Sequence, residues 1–243
     1  MPKRKSSSAF NKFTWLLFSI VLVFSMSSVH AAVDIDRTRI VISAHDLESD
    51  FTLANSGEDN VLLQLWTDKG DLKVSPSDEE TPLFVIPPIF KMARGEVRSV
   101  RLLLNRADLD FEDRENLLWL NIFQVTQVSE ETVIANTQQI MLPLRLRLKV
   151  LVRPKGIKAP GKHAFSQLRF VRSGESLKVV NPLPWFANFL SIKVGDDTYE
   201  RITVAPFSSV SLPLGQRLNI QQVHFDIIGD DGNITNYKGT LVH

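Results

Sequence analysis

The chain has 243 residues, with 28 Lys and Arg against 27 Asp and Glu, 44% hydrophobic residues and no cysteine. So even a balance leaves no general electrostatic footprint for nucleic acid. The absence of thiols excludes disulfides, thiol catalysis, cysteine-based zinc sites and iron–sulfur clusters, so folding must rest on apolar cores.

The first residues carry an address. MPKRKSSSAFNK has four basic residues and no acid, TWLLFSIVLVF is apolar, and small residues follow up to Val29-His30-Ala31. This layout predicts a secretory signal peptide over residues 1–31, cleaved after Ala31. The apolar run of eleven residues falls short of the about 20 that a spanning helix needs, and no later segment approaches that length. The expected product is exported, soluble and without membrane insertion. Removing the leader leaves 24 basic against 27 acidic residues, a net charge of −3.

Short strand-like runs punctuated by turn residues then recur. TRIVISA (38–44), FTLAN (51–55), VLLQLWT (61–67), VRSVRLLL (97–104) and LLWLNIFQVTQV (117–128) lead to a long strand at 138–152. Only ADLDFEDRENL (107–117) looks helical or turn-like. RPKGIKAPGKHA (153–164) is rich in Pro and Gly and poor in apolar residues, which suits a bend between domains. The pattern restarts with LRFVRS (168–173), SLKVVN (176–181), FLSIKVG (189–195), RITVAP (201–206), VSLPL (210–214) and VHFDIIG (223–229). Many short strands at close spacing predict an all-β protein of two sandwiches, over residues 32–153 and 160–243 with a linker at 154–159.

The long strand is unusual. From Ile140 to Val152 every second residue is a branched aliphatic, and Arg145, Arg147 and Lys149 lie between them. Period two gives one apolar and one largely basic face. Thirteen residues span roughly 43 Å at about 3.3 Å each, beyond the usual strand of about 3–10 residues. Pro143 lacks a backbone donor and restricts its strand to an edge or bulge, and an aliphatic edge strand invites a partner. Five such side chains have an upper bound of roughly 7–15 kcal/mol before ordering and association costs. That suffices to hold a protein.

Chemistry is otherwise sparse. There is no Gly-rich phosphate cradle, HExxH or GxSxG, and His45, His163, His224 and His243 lack metal-ligand spacing. Asp230-Asp231-Gly232-Asn233 lacks the Glu that closes a calcium loop and reads as a hairpin turn. The expectation is a protein without enzymatic activity, metal or cofactor.

Several stretches, in order, resemble the periplasmic pilus-assembly chaperones: TRIVI (38–42), PPIFKMARGEVRSVRLL (87–103), DRENLLWLNI (113–122), LRLKVLVRP (146–154), LRFVRSGESLKVVNPLPWF (168–186) and IIGDDG (227–232). The resemblance implies two immunoglobulin-like β-sandwich domains set as an angled, boomerang-like pair. It also implies a function, binding fimbrial subunits by donating the first domain's final strand and delivering them to an outer-membrane usher. By position, Ile140, Leu142 and Leu144 match the family's inserted residues, with Leu146 and Leu148 extending the row. Arg39 and Lys149 match the basic pair that anchors the subunit's C-terminal carboxylate. Glu115, Arg153 and Asp230 match an interdomain ion-pair set.

There are departures. Ser43-Ala44 stands where relatives commonly carry Pro, Phe111 replaces a signature Pro, the signature's trailing Pro is missing near Thr126, and Pro143 falls on the binding strand itself. The short SEETVIANTQ connection, with no Cys pair around it, resembles the short-loop subclass. Without a subunit, the aliphatic row is expected to be masked by self-association. The competing reading is an exported structural or adhesive protein that buries the strand in its own sheet.

Overall fold

The computed structural model describes residues 33–43, 45–73, 80–105, 107, 109, 112–126, 143–215 and 221–242. The first half contains β1 (Val33–Ile35), β2 (Arg39–Ser43), β3 (Glu48–Asn55), β4 (Val61–Asp68), β5 (Leu83–Ile86), β6 (Ile89–Met92), β7 (Val97–Leu104), β8 (Asn116–Thr126) and β9 (Leu144–Arg153). Alternation assigns their faces: in β4, Val61, Leu63 and Leu65 are buried while Leu62, Gln64 and Trp66 lie on the opposite side. One sheet runs β1-β3-β7-β5 and the other β2-β9-β8-β4-β6. Their inner faces enclose a core that includes Phe51, Leu53, Leu63, Met92, Leu102, Leu120 and Val150.

The pairing around β9 positions everything that follows. β8 runs antiparallel along it, from Asn116 opposite Val152 to Gln124 opposite Leu144. β2 pairs with β9 in parallel, but only from Arg39 opposite Lys149 to Ser43 opposite Arg153. Among the described residues, the edge of Leu144–Leu148 that faces away from β8 therefore has no strand partner. The expected strand over 138–152 is β9 from Leu144 onward; Ile140 and Leu142 lie outside the described residues.

The second half contains a 3-10 turn at Ala164–Gln167 and then β10 (Arg169–Ser173), β11 (Ser176–Asn181), β12 (Ala187–Val194), β13 (Asp197–Glu200), β14 (Thr203–Val204), β15 (Ser208–Pro213), β16 (Gln222–Ile228) and β17 (Ile234–Val242). These strands join in the order β13-β12-β16-β17-β10-β11-β15, with β14 paired to β12. The core is aromatic: Phe170 and Phe189 pack on Phe225 with ring centroids 5.0 and 5.7 Å away, and Tyr237 stacks on it at 5.3 Å. Such tilted and edge-to-face pairs add to area burial.

Local differences from the sequence pattern have simple causes. RITVAP contributes only Thr203–Val204, because Arg201 and Phe207, at positive φ, turn the chain on either side. In ADLDFEDRENL, residues 112–114 form a bend and β8 begins at Asn116. Residues Asp230–Asn233 do form the turn of the β16–β17 hairpin, with Gly232 at φ +80°, a conformation that favours glycine. Replacing the fully buried Phe170 by Ala should lower the stability of the second sandwich by about 3–5 kcal/mol, measured by denaturant unfolding.

Candidate functional site

Two cations stand side by side because β2 and β9 are in parallel register. Arg39, only 9% exposed, donates from Nη1 to the carbonyl of Ile228 at 3.2 Å. Its Nε is buried with no hydrogen-bond partner. Lys149 donates from Nζ to Asn188 Oδ1 at 2.6 Å and to Thr203 Oγ1, and lies over the Trp119 ring at 5.7 Å. Among the described residues neither cation has a carboxylate within ion-pairing distance. Burial, helped by the neighbouring Arg39 charge, lowers the Lys149 pKa from 10.5 to about 8. Burial also lowers that of Arg39, against the opposing pull of Asp230, Asp231 and Glu115. Two desolvated like charges favour an anion between them.

The basic face of β9 continues away from this pair. Arg147 lies over the Trp119 ring at 4.7 Å and Arg145 over the Trp66 ring at 4.8 Å. Both reach the fully buried Asp68, Arg147 at 2.5 Å and Arg145 at 3.4 Å. Asn121 Nδ2 donates to the same carboxylate at 2.6 Å. Arg145 and Arg147 are thus held by rings and a buried acid, whereas Lys149 is held by neutral oxygens. Asp68, Trp66, Trp119 and Asn121 are missing from the sequence reading. Their signal was limited to one tryptophan in each of VLLQLWT and LLWLNIFQV, on the face turned away from the core.

The structure brings Glu115, Arg153 and Asp230 into one group. Arg153 donates from Nε to Glu115 Oε1 at 2.8 Å and from both Nη atoms to Asp230 at 2.6 Å. Glu115 Oε2 accepts from the amide of Phe186 at 2.9 Å. Glu115 and Arg153 come from the first sandwich, Asp230 and Phe186 from the second, so the group ties the two together. Burial raises the pKa of Glu115 against the Arg153 charge. For Arg153, burial works downward but the Asp230 hydrogen bonds and both carboxylates carry its pKa upward. The turn bearing Asp230 sits close: a Cβ on Gly232 would meet Thr38 Oγ1 at 2.7 Å, beside Arg39.

The aliphatic row divides along its length. Leu144 is 42% exposed and Leu146 is partly buried against the first core, but Leu148 is 6% exposed and belongs to that core. Leu148 is therefore spent within its own sandwich and does not extend an accessible row; Leu144 and Leu146 border the open edge. Among the described residues no group of three His, Asp or Glu side chains could hold a metal ion, and no helix is long and apolar enough to cross a membrane.

The family model of the pili and flagellar-assembly chaperone PapD N-terminal domain matches residues 32–158, and that of the pili assembly chaperone PapD C-terminal domain matches residues 163–239. The chain belongs to the pili-assembly chaperone family. Its two sandwiches are the two immunoglobulin-like domains of that family. The probable fimbrial chaperone YadV of Escherichia coli K12 is 29% identical over 230 residues, covering 90% of this chain and 93% of that protein. The chaperone protein FimB/FhaD of Bordetella pertussis is 28% identical over 222 residues, covering 88% and 90%. Among solved structures, the complex of the Salmonella enterica SafA pilin with the SafB chaperone matches with a TM-score of 0.75 and 25% identity, over 89% of this chain and 99% of that one. The CupB2 chaperone of Pseudomonas aeruginosa matches with a TM-score of 0.71 and 26% identity, over 86% and 100%.

The depressed Lys149 pKa has a consequence for stability. Between about 8 and 10.5 the unfolded chain holds the Lys149 proton and the folded chain does not. This residue's contribution to stability therefore rises as pH rises through that window. In Lys149→Met that rise should vanish, and the variant should unfold at pH 7 no more easily than wild type. Thermal unfolding of both proteins between pH 7 and 10.5 checks it.

Proposed function

We propose that the protein is a periplasmic chaperone that captures fimbrial subunits by strand addition and delivers them to an outer-membrane usher. In this reading it is exported with cleavage after Ala31, needs no cofactor and is not an enzyme. The open edge of Leu144–Leu148 offers backbone groups to a subunit's incomplete sheet, a mode of recognition of which chaperone–pilin complexes are an acknowledged instance. Ile140, Leu142, Leu144 and Leu146 fill the side-chain gap. The subunit's C-terminal carboxylate sits between Arg39 and Lys149 in charge-assisted hydrogen bonds. The observation that carries the reading is this pair: a buried Arg39 and a half-buried Lys149 in parallel register, without a carboxylate partner among the described residues, at the place where the open edge ends. Glu115, Arg153 and Asp230 hold the second domain against that place. The SEETVIANTQ connection supports the short-loop subclass.

The burial of Leu148 favours the alternative, an exported structural or adhesive protein, at that one position only. Co-purification from the native host separates the two. Tagged wild type should bring down a small secreted β-rich protein that tagged Lys149→Met loses. Recovery of wild type alone from cells with confirmed fimbriae would overturn the chaperone reading.

Two further outcomes are expected. Affinity for a subunit with a free C-terminus should hold from pH 6 to 7.5 and then fall by up to about tenfold per pH unit above about 8, as free Lys149 loses its proton. A C-terminally amidated subunit should lack that dependence; isothermal calorimetry reads both. The unloaded protein should self-associate through its open edge, seen as a concentration-dependent sedimentation coefficient that a bound subunit abolishes.

A further inference from the structure

The carboxylate anchor is built from the first sandwich but oriented by the second. Lys149 Nζ has three N–H donors, and two are taken by Asn188 Oδ1 on β12 and Thr203 Oγ1 on β14. Thr203 Oγ1 also lies 3.5 Å from Asn188 Oδ1, as a donor to it, and Asn188 Nδ2 donates to the Phe186 carbonyl at 3.4 Å. Arg39 is likewise met by a carbonyl of the second sandwich, that of Ile228. Among the described residues, every acceptor that the second sandwich presents to these two cations is neutral. On the same strand as Lys149, Arg145 and Arg147 are met by the carboxylate of Asp68.

The contrast has a physical meaning. A carboxylate beside Lys149 would fix it equally well but would cancel the charge that an incoming anion needs. A neutral oxygen fixes the ammonium and leaves its charge available, with one N–H still to donate. We infer that Asn188 and Thr203 are positioning residues of the second domain, which hold Lys149 in place for a subunit's terminal carboxylate without neutralising it. This rests on the proposed anchoring role of Arg39 and Lys149, and deepens it: the anchor is complete only when the two domains are docked. Among the described residues, Arg39 is the charge that acts on Lys149, Arg147 shares the Trp119 ring with it, and Asp230, Asp231 and Glu115 act on Arg39.

The test uses the full exported chain and an N-acetylated Val-Thr-Val-Thr-Val-Tyr peptide, as free acid and as C-terminal amide. Binding is followed by NMR shift changes and the Lys149 ammonium by side-chain NMR titration. Wild type should prefer the acid. Asn188→Asp places a carboxylate on Lys149, so its pKa should move up from about 8 while the preference for the acid falls by about tenfold or more. Thr203→Val removes one acceptor and keeps the shape, so the pKa should move down and the preference should also fall. Opposite pKa movements with losses of the same sign are not what a merely structural role produces. The aspartate would also face the Phe186 carbonyl; should that variant fail to fold, Thr203→Val carries the test alone. If wild type binds acid and amide equally, the anchor reading itself fails and this inference with it. If wild type prefers the acid and a folded variant keeps that preference in full, only the positioning role is overturned.

Discussion

The five-residue parallel pairing of β2 with β9 is the constraint on which the rest depends. It sets Arg39 beside Lys149 and, because it stops there, leaves Leu144–Leu148 with an open edge among the described residues. Had β2 continued along β9, the edge would be closed and the aliphatic row would be an ordinary inner face. Had it been shifted by one residue, the side chains would point to opposite faces of the sheet. The cation pair and the exposed edge are thus two results of one register.

The second sandwich completes what that register begins. Arg153, buried and bound bidentately to Asp230 while also bonded to Glu115, joins the two cores at the end of β9. A buried ion pair is weak evidence for stability, since desolvation offsets the attraction. Its value here lies in orientation. With Asp230 fixed, the β16–β17 turn brings the Ile228 carbonyl to Arg39, and the Glu115–Phe186 contact brings β12 with Asn188 toward Lys149. Among the described residues the cations of the site fall into two kinds: those ion-paired with a carboxylate, at Arg145, Arg147 and Arg153, and those without such a pair, at Arg39 and Lys149.

Much of this was legible in the sequence, for identifiable reasons. Alternating aliphatics give β4, β7, β8 and β11 nearly to the residue, because one buried face imposes period two. β17 escaped, since ITNYKGTLV alternates between exposed polar residues with little apolar signal, and its Gly239 is fitted to the Phe170 ring rather than to a pattern. Period two also ran through Leu148 without a break, because nothing in the alternation marks where a sandwich ends and an open edge begins. Arg39 and Lys149 were found by resemblance; their register is a pairing between strands far apart in the chain. Asn188 and Thr203 were invisible for the same reason, being neutral residues whose meaning depends on the cation they face.

The most direct test is amide hydrogen exchange on β9, in the free protein and with its subunit bound. The amides of Leu144–Leu148 that face away from β8 should exchange rapidly in dilute free protein and become protected on binding, while those of Lys149–Arg153, already paired with β2, should stay slow throughout. If the Leu144–Leu148 amides are already protected in the free monomer and do not respond to a subunit, the edge is closed at home, and the account of this strand as the one lent to a partner is wrong.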